Sequence, residues 1–416
     1  MTNTFETFES NVRSYCRSFP TVFACAKGAT LTDSEGKTYI DFFSGAGGVN
    51  YGHNHPYIKE KVMEYLAGDG IIHALDMYTP AKEAFISYFQ QNILQPKGLD
   101  YKIQFTGPTG TNAVEAALKL ARKVTGRTNV FALMGAFHGM TMGSLALTTD
   151  ASSRGGAGMP LNGVTHIPAP YMYPELDTVA YMETLITDDH SGVEKPAAVV
   201  LEAVQADGGI YPMPTKYLQD LRAMCDRHDI LLIVDDIQAG CGRSGNFFAF
   251  ERAGIVPDMV TLSKSIGGMG MPMALLLMKP QLDIWSPGEH TGTFRGNQLS
   301  LVAAKAGLEV FVNENIAAQV AQKEELVAQF MKAEIEPLNP AITTRGVGLL
   351  WGVDLSALGG DALTKAVMNR CFEKGLVLER VGRDNAVMKL MPTLTIDPEL
   401  LTQGLTILRD AIKELI

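Results

Sequence analysis

Through the middle of the chain, short apolar runs alternate with stretches whose apolar residues recur at helical spacing. The runs are Lys102–Phe105, Asn129–Met134, Ala197–Leu201, Ile230–Val234, Met259–Leu262 and Ala274–Met278. Each is rich in Val, Ile, Leu or Phe and mostly lacks polar alternation, the pattern of strands buried on both faces of a sheet. Between them lie amphipathic stretches such as Tyr217–His228, which sets Leu218, Leu221 and Cys225 on one face. Strand–helix alternation predicts an α/β fold, with a mainly parallel central sheet covered by helices.

The two ends read differently. Residues 1–55 hold Gly/Asn/Pro-rich turns and strand candidates at Ala29–Leu31 and Tyr39–Phe43. From about residue 315 the reading includes a helix over 363–374, strands over 376–380 and 387–390, and a helix over 398–415. These predict a smaller α+β domain built from both termini, 1–55 and 315–416, flanking a large domain over 56–314. A chain of 416 residues has room for two or three domains.

Composition acts mainly by exclusion. With 46% hydrophobic and 19% charged residues, the chain can bury a large core and is not disordered. A formal charge of -10 repels phosphate backbones and argues against a nucleic-acid partner. The opening segment Met1–Ser10 is polar, with Glu6 and Glu9, and does not read as a secretory signal. No stretch approaches the ~20 apolar residues of a membrane helix. The five cysteines form no C-x-x-C pair and read as free thiols in a reducing cytoplasm, so no metal is expected.

In open α/β sheets ligands gather at the carboxyl ends of the strands. The residues just after the apolar runs are Thr106-Gly107, Gly135–His138, Glu202, Asp235-Asp236 and Ser263-Lys264. Two acids and a lysine at the ends of different runs point to one converging site. A lysine behind a buried run desolvates, which favours the neutral amine that attacks an aldehyde. Taken alone, Lys264 reads first as a solvated residue at a strand end. Asp235 reads equally as an acid facing a cationic ring nitrogen or as a cap or ion-pair partner. The turn Gly107–Asn112 precedes an alanine-rich helix over Ala113–Arg122, a place for an anion such as phosphate or for a plain cap by Thr111 or Asn112. His53-Asn54-His55-Pro56 reads as a turn before a helix over Tyr57–Leu66 rather than as a metal pair.

Together these segments resemble the class-III (ornithine/GABA-type) aminotransferases over nearly the whole chain. Ile233–Gly245 resembles the family's Asp-Glu-x-Gln-x-Gly-x-Gly-Arg signature, with Asp236 in place of the usual Glu. Asn50–Pro56, Glu202 with Gly208-Gly209, Thr291–Asn297 and Arg345–Gly348 carry the likeness further. The resemblance implies the fold-type I architecture, the cofactor pyridoxal 5'-phosphate and a homodimer or higher homo-oligomer with shared active sites. It implies that Lys264 holds the cofactor as a Schiff base and moves the proton, and that Asp235 binds the ring nitrogen. It places Gln238 near the ring hydroxyl, Phe137 on the ring with His138 beside it, and Gly110 and Thr111 at the phosphate. Thr293 would reach the phosphate of the neighbouring subunit.

A narrower likeness, carried by Val12–Pro20, Gly70–Met77 and Gln104–Glu115, implies small-molecule substrates. The amino group of L-glutamate would go to the aldehyde carbon of L-aspartate 4-semialdehyde, as in ectoine biosynthesis. Ornithine- or GABA-type transfer, and an aminomutase or racemase, stay open on the same scaffold. Lys389 stands where many relatives carry a carboxylate-clamping arginine, and lysine lacks that two-pronged contact. Glu202 and Lys389 are expected to form a switchable pair, with Arg17 or Arg380 as other cations for the donor carboxylate.

Overall fold

A computed structural model describes residues 4–416; Met1–Asn3, the start of the polar opening segment, lie outside the described residues. Seven strands form the central sheet in the order Lys102–Phe105, Leu275–Met278, Met259–Leu262, Leu231–Asp235, Ala198–Leu201, Val130–Leu133, Val164–Ile167. Leu275–Met278 runs antiparallel to both neighbours, and the other pairs are parallel.

Alternate residues of these strands sort into two cores. Val130, Ala132, Val200, Ile233 and Leu276 pack with Val114, Ala117, Leu118 and Ala121 of the helix Gly110–Thr125. Phe131, Leu133, Val199, Leu232, Val234, Val260 and Leu277 join the larger core on the opposite face, with Leu218 and Leu221 of the helix Thr215–Arg227. Side chains of a strand point alternately to the two faces. Both faces being covered, every position must be apolar, which explains the unbroken runs.

The sequence expectation misses the edge strand Val164–Ile167. Its residues Val-Thr-His-Ile are mostly only half-buried and carry no apolar run. At the chain ends, the candidates at Ala29–Leu31 and Tyr39–Phe43 become Thr30–Asp33 and Thr38–Asp41, joined by the unexpected strand Phe23–Lys27. The single strand expected over 376–380 is two. Leu376–Val377 pairs with Ile40 and Asp41 in the amino-terminal sheet. Glu379–Val381 pairs with Val387–Leu390 in a second sheet, completed by the unexpected strands Thr343–Val347 and Leu350–Asp354.

Arg243 ties these parts together. It is fully buried and donates from Nη2 to Asn50 Oδ1 at 2.7 Å, and from Nη1 to Leu349 O at 3.0 Å and to Pro392 O. One guanidinium thus satisfies acceptors from segments near both chain ends.

Candidate active site

The carboxyl ends of the parallel strands meet at a cavity of about 170 Å³. Gly110, Thr111, Phe137, His138, Glu202, Asp235, Gln238 and Lys264 line it, with Gly139, Asp207, Ile237 and Ala239. A second cavity of about 890 Å³ shares Phe137, Asp207, Gln238 and Lys264 with it and leads outward past Glu379 and Arg383.

Lys264 opens a short helical turn after the strand Met259–Leu262 and adopts φ +53, a left-handed conformation uncommon for lysine. Its flanks fix that backbone. Ser263 Oγ donates to Met273 O at 2.8 Å and Ser265 Oγ donates to Gly47 O at 2.6 Å. Among the described residues the Lys264 amine has no hydrogen-bond or ion-pair partner. Burial pulls its pKa down and the Lys389 charge adds to this; Asp207, Glu379 and Asp235 oppose the shift without cancelling it. A half-buried, unpaired amine with a lowered pKa is a nucleophile and a base.

Asp235 closes the neighbouring strand and is 4% exposed. Its Oδ1 accepts from Thr261 Oγ1 at 3.1 Å and from Ile237 N at 3.2 Å, and its Oδ2 lies 2.7 Å from His138 Nδ1. Burial of His138 lowers its pKa, but the hydrogen bond and charge of Asp235, with the charge of Glu202, outweigh it and leave the imidazole raised. The second ring nitrogen, Nε2, is buried without a partner. His138 therefore orients Asp235 rather than simply flanking a ring.

The next residue, Asp236, has a different environment. Its Oδ2 accepts from Ala249 N at 3.0 Å, its Oδ1 is buried without a partner, and burial pushes its pKa up to about 8. Asp236 does not line the cavity.

Helix Gly110–Thr125 begins at the cavity wall, three residues earlier than its alanine-rich stretch suggests. Neither Thr111 nor Asn112 caps it. Thr109 is the N-cap, makes no side-chain cap, and donates instead to Asn112 Oδ1 at 2.8 Å. Thr111 Oγ1 lies 2.6 Å from Thr141 Oγ1 and 2.5 Å from Ser144 Oγ. Asn112 N donates to Thr109 O at 3.0 Å, and the N–H groups of Gly110 and Thr111 are left for an anion, with the helix dipole behind them. Close approach is built in. A Cβ on Gly110 would lie 2.9 Å from Ile237 Cδ1, and one on Gly139 would lie 2.6 Å from Thr111 Oγ1. An uncapped helix start, a buried acid and an unpaired amine around one cavity fit a phosphorylated pyridine aldehyde.

Several expected contacts are placed otherwise. Glu202 and Lys389 do not pair. Glu202 accepts from Phe137 N at 3.0 Å and Ala206 N at 3.1 Å, and burial raises its carboxyl to about 7. Lys389 instead lies 2.8 Å from Asp207 and 2.9 Å from Glu379, and donates to Gln238 Oε1 at 2.9 Å. Arg17 is turned back on the segment before its short helix Tyr15–Ser18, donating to Asn11 O at 3.1 Å and to Arg13 O, and lines neither cavity. Thr293 is exposed and off the cavity wall of its own chain. Arg380 is held by Asp361 at 2.6 Å. His53 Nε2 lies 2.7 Å from Asp41 Oδ2, and Pro56 opens the helix Pro56–Ala67, so the His-x-His segment is a turn.

Sequence reasoning missed Asp207, Glu379 and Ile237. Asp207 stands just before the noted Gly208-Gly209, a signal that was available. Glu379 had none in its own segment.

The sequence pattern of the family described as Aminotransferase class-III matches residues 13–412. A diaminobutyrate–2-oxoglutarate transaminase of Nocardia farcinica is 51% identical over 413 residues, covering 99% of this chain and 94% of the relative. One of Bordetella parapertussis is 49% identical over 414 residues, with the same coverage. Among solved structures, a Bacillus anthracis aminotransferase superposes with TM-score 0.88 at 26% identity, over 100% of both chains.

Proposed function

The chain belongs to the class-III aminotransferases, and on that premise we propose that it moves the amino group of L-glutamate to the aldehyde carbon of L-aspartate 4-semialdehyde. The products are L-2,4-diaminobutyrate and 2-oxoglutarate, and the step belongs to ectoine biosynthesis. The reading is supported by relatives of that name, 49–51% identical over 99% of the chain. The observation that carries it is the unpaired Lys264 amine sharing a cavity with the Asp235–His138 pair.

Pyridoxal 5'-phosphate is the cofactor of this enzyme; bound, it supplies an electron-withdrawing ring that stabilises the carbanion left when a substrate C–H proton departs. The residues do the rest. The N–H groups of Gly110 and Thr111 would hold the phosphate. Asp235, fixed by His138 and Thr261, would hold the ring nitrogen with its carboxylate and favour the protonated ring. Phe137 and Ile237 supply apolar cavity walls, and Gln238, held by Lys389, would face the ring hydroxyl. Lys264 would anchor the cofactor aldehyde, and its unpaired Nζ is the base placed to hold and move the proton of the substrate carbon.

The active form in this reading is a homodimer, with Thr293 completing the phosphate site of the other subunit. Support comes from apolar side chains left outside: Ile71, Leu75, Met77, Tyr78 and, in contact with the same segment, Phe294 are all exposed. The same reading divides the chain into a cofactor-binding part, 56–314, and a smaller part from 1–55 and 315–416. It places the enzyme in the cytoplasm, supported by five unpaired cysteines; no helix among the described residues is long and apolar enough to cross a membrane.

A donor panel tests the substrate. Cofactor-loaded protein with 2-oxoglutarate is expected to use 2,4-diaminobutyrate about tenfold or more better in kcat/KM than ornithine, the scale on which one methylene discriminates, and better than 4-aminobutyrate, which lacks the second amine. Ornithine turning over faster than diaminobutyrate would refute the assignment. Sustained turnover with 2-oxo acid omitted would instead indicate a mutase or racemase.

A further inference from the structure

We infer that Arg383 holds a substrate carboxylate, and that the Asp207–Glu379 pair holds the free ammonium of a diamino substrate. The inference rests on the substrate reading above and names the groups that choose between its two amino donors.

The family resemblance offers Lys389 for the carboxylate, with Arg17 or Arg380 as alternatives, and the geometry argues against Lys389. An ammonium has three N–H donors. Lys389 is 1% exposed, and its Nζ lies 2.8 Å from Asp207 Oδ1, 2.9 Å from Gln238 Oε1 and 2.9 Å from Glu379 Oε2. Two hydrogen bonds, to Asp207 and Gln238, and the ion pair with Glu379 thus engage the ammonium within the chain itself. Glu379 and Lys389 are also direct cross-strand partners, which fixes this geometry in the backbone. Two carboxylates against one ammonium leave one net negative charge. Burial alone would raise the Asp207 carboxyl, but the charges of Lys389 and Lys264 outweigh it and keep it ionised. The Asp207 side chain is still 33% exposed, and the residue lines both cavities beside Lys264. Such a wall attracts an ammonium and repels a carboxylate.

Two arginines line the outer cavity, Arg380 and Arg383. Asp361 neutralises Arg380 at 2.6 Å. Arg383 has no carboxylate partner among the described residues. Its Nη2 meets the Met172 thioether at 3.3 Å, and its guanidinium lies 5.8 Å from the centre of the Tyr171 ring. Tyr171 is itself fixed, stacked on Tyr211 at 3.6 Å and donating to Gln205 Oε1 at 2.7 Å. A guanidinium backed by an anchored ring, held only by a weak thioether acceptor and by no carboxylate, suits a two-pronged carboxylate contact.

The order along the cavity follows. Lys264 and Asp207 line both cavities, whereas Arg383 lines the outer one alone. Diaminobutyrate entering with its terminal amine towards Lys264 brings its other ammonium to the acids and its carboxylate to Arg383. Glutamate offers only carboxylates beyond its reacting amine. Arg383 therefore serves both donors, and the acids serve one.

The test mixes holoenzyme with one donor at a time and follows cofactor absorbance, giving each half-reaction separately. Arg383→Ala is expected to raise the half-saturating concentration of both donors about 10- to 100-fold, with Arg383→Lys between it and the parent. Asp207→Asn, which keeps the shape and removes a charge, should raise it about tenfold for diaminobutyrate and lower it for glutamate. Calorimetric titration with glutarate, which has two carboxylates and no amine, reads binding without reaction: affinity should fall in Arg383→Ala and rise in Asp207→Asn. Parallel losses for both donors in Asp207→Asn, or unaltered glutarate affinity in Arg383→Ala, overturn the inference. Parent enzyme reacting with neither donor overturns the substrate reading, and the inference with it.

Discussion

Replacing Lys264 by alanine is expected to lower kcat by at least about 10⁴-fold, the combined scale of a lost covalent anchor and a lost proton carrier. The Lys264 amine is the group inside the inner cavity that combines nucleophilic and basic capacity with the absence of a partner. Glu202 is committed to Phe137 N and Ala206 N, and Lys389 to Asp207, Glu379 and Gln238. No neighbour is placed to substitute. Single-turnover absorbance with glutamate measures the step directly. The variant should still bind the cofactor weakly through the helix start at Gly110 and through Asp235. A rate within tenfold of the parent would remove Lys264 from the chemistry.

Asp235→Asn is expected to lower kcat about 10²- to 10³-fold, comparable to removing one fixed electrostatic contact from an enzyme site. The amide keeps the shape but withdraws the charge that holds the ring nitrogen protonated. It also disturbs His138, whose raised pKa depends on the Asp235 hydrogen bond and charge. The amide can still accept at one oxygen, so folding should be preserved. Steady-state kinetics, with cofactor absorbance to confirm loading, checks this; normal kcat at full loading would remove the assignment.

The parts legible in sequence share one physical property. Strands buried on both faces must be apolar at every position, so Met259–Leu262 and Leu231–Asp235 stand out, and the polar residues at their ends mark the site. Edge strands have no such constraint. Val164–Ile167 and Thr343–Val347 are only partly buried and carry Thr, His or Arg, so they leave no run to read. The helix start at Gly110 was obscured because the small residues of its first turn look like a loop until the strand behind them is placed.

The same division holds within the site. Lys264 and Asp235 are marked by their local segments. Their partners are not, because contacts across the fold carry no local signature. His138 meets Asp235 from 97 residues away, and Asp207 meets Lys389 from 182. Hence Glu202, noted for its place after a strand, was paired with Lys389 when Asp207, five residues on, is the acid within reach. Glu379 became visible only with the register that sets it opposite Lys389.

The central claim is that the Lys264 amine is the attachment point for the cofactor aldehyde. Borohydride reduction of the purified holoenzyme, followed by proteolysis and mass spectrometry, tests it most directly. The pyridoxyl mass should appear on the peptide containing Ser263-Lys264-Ser265, on the Lys264 side chain. A label on another lysine, or no label on protein that carries the cofactor, would contradict the account.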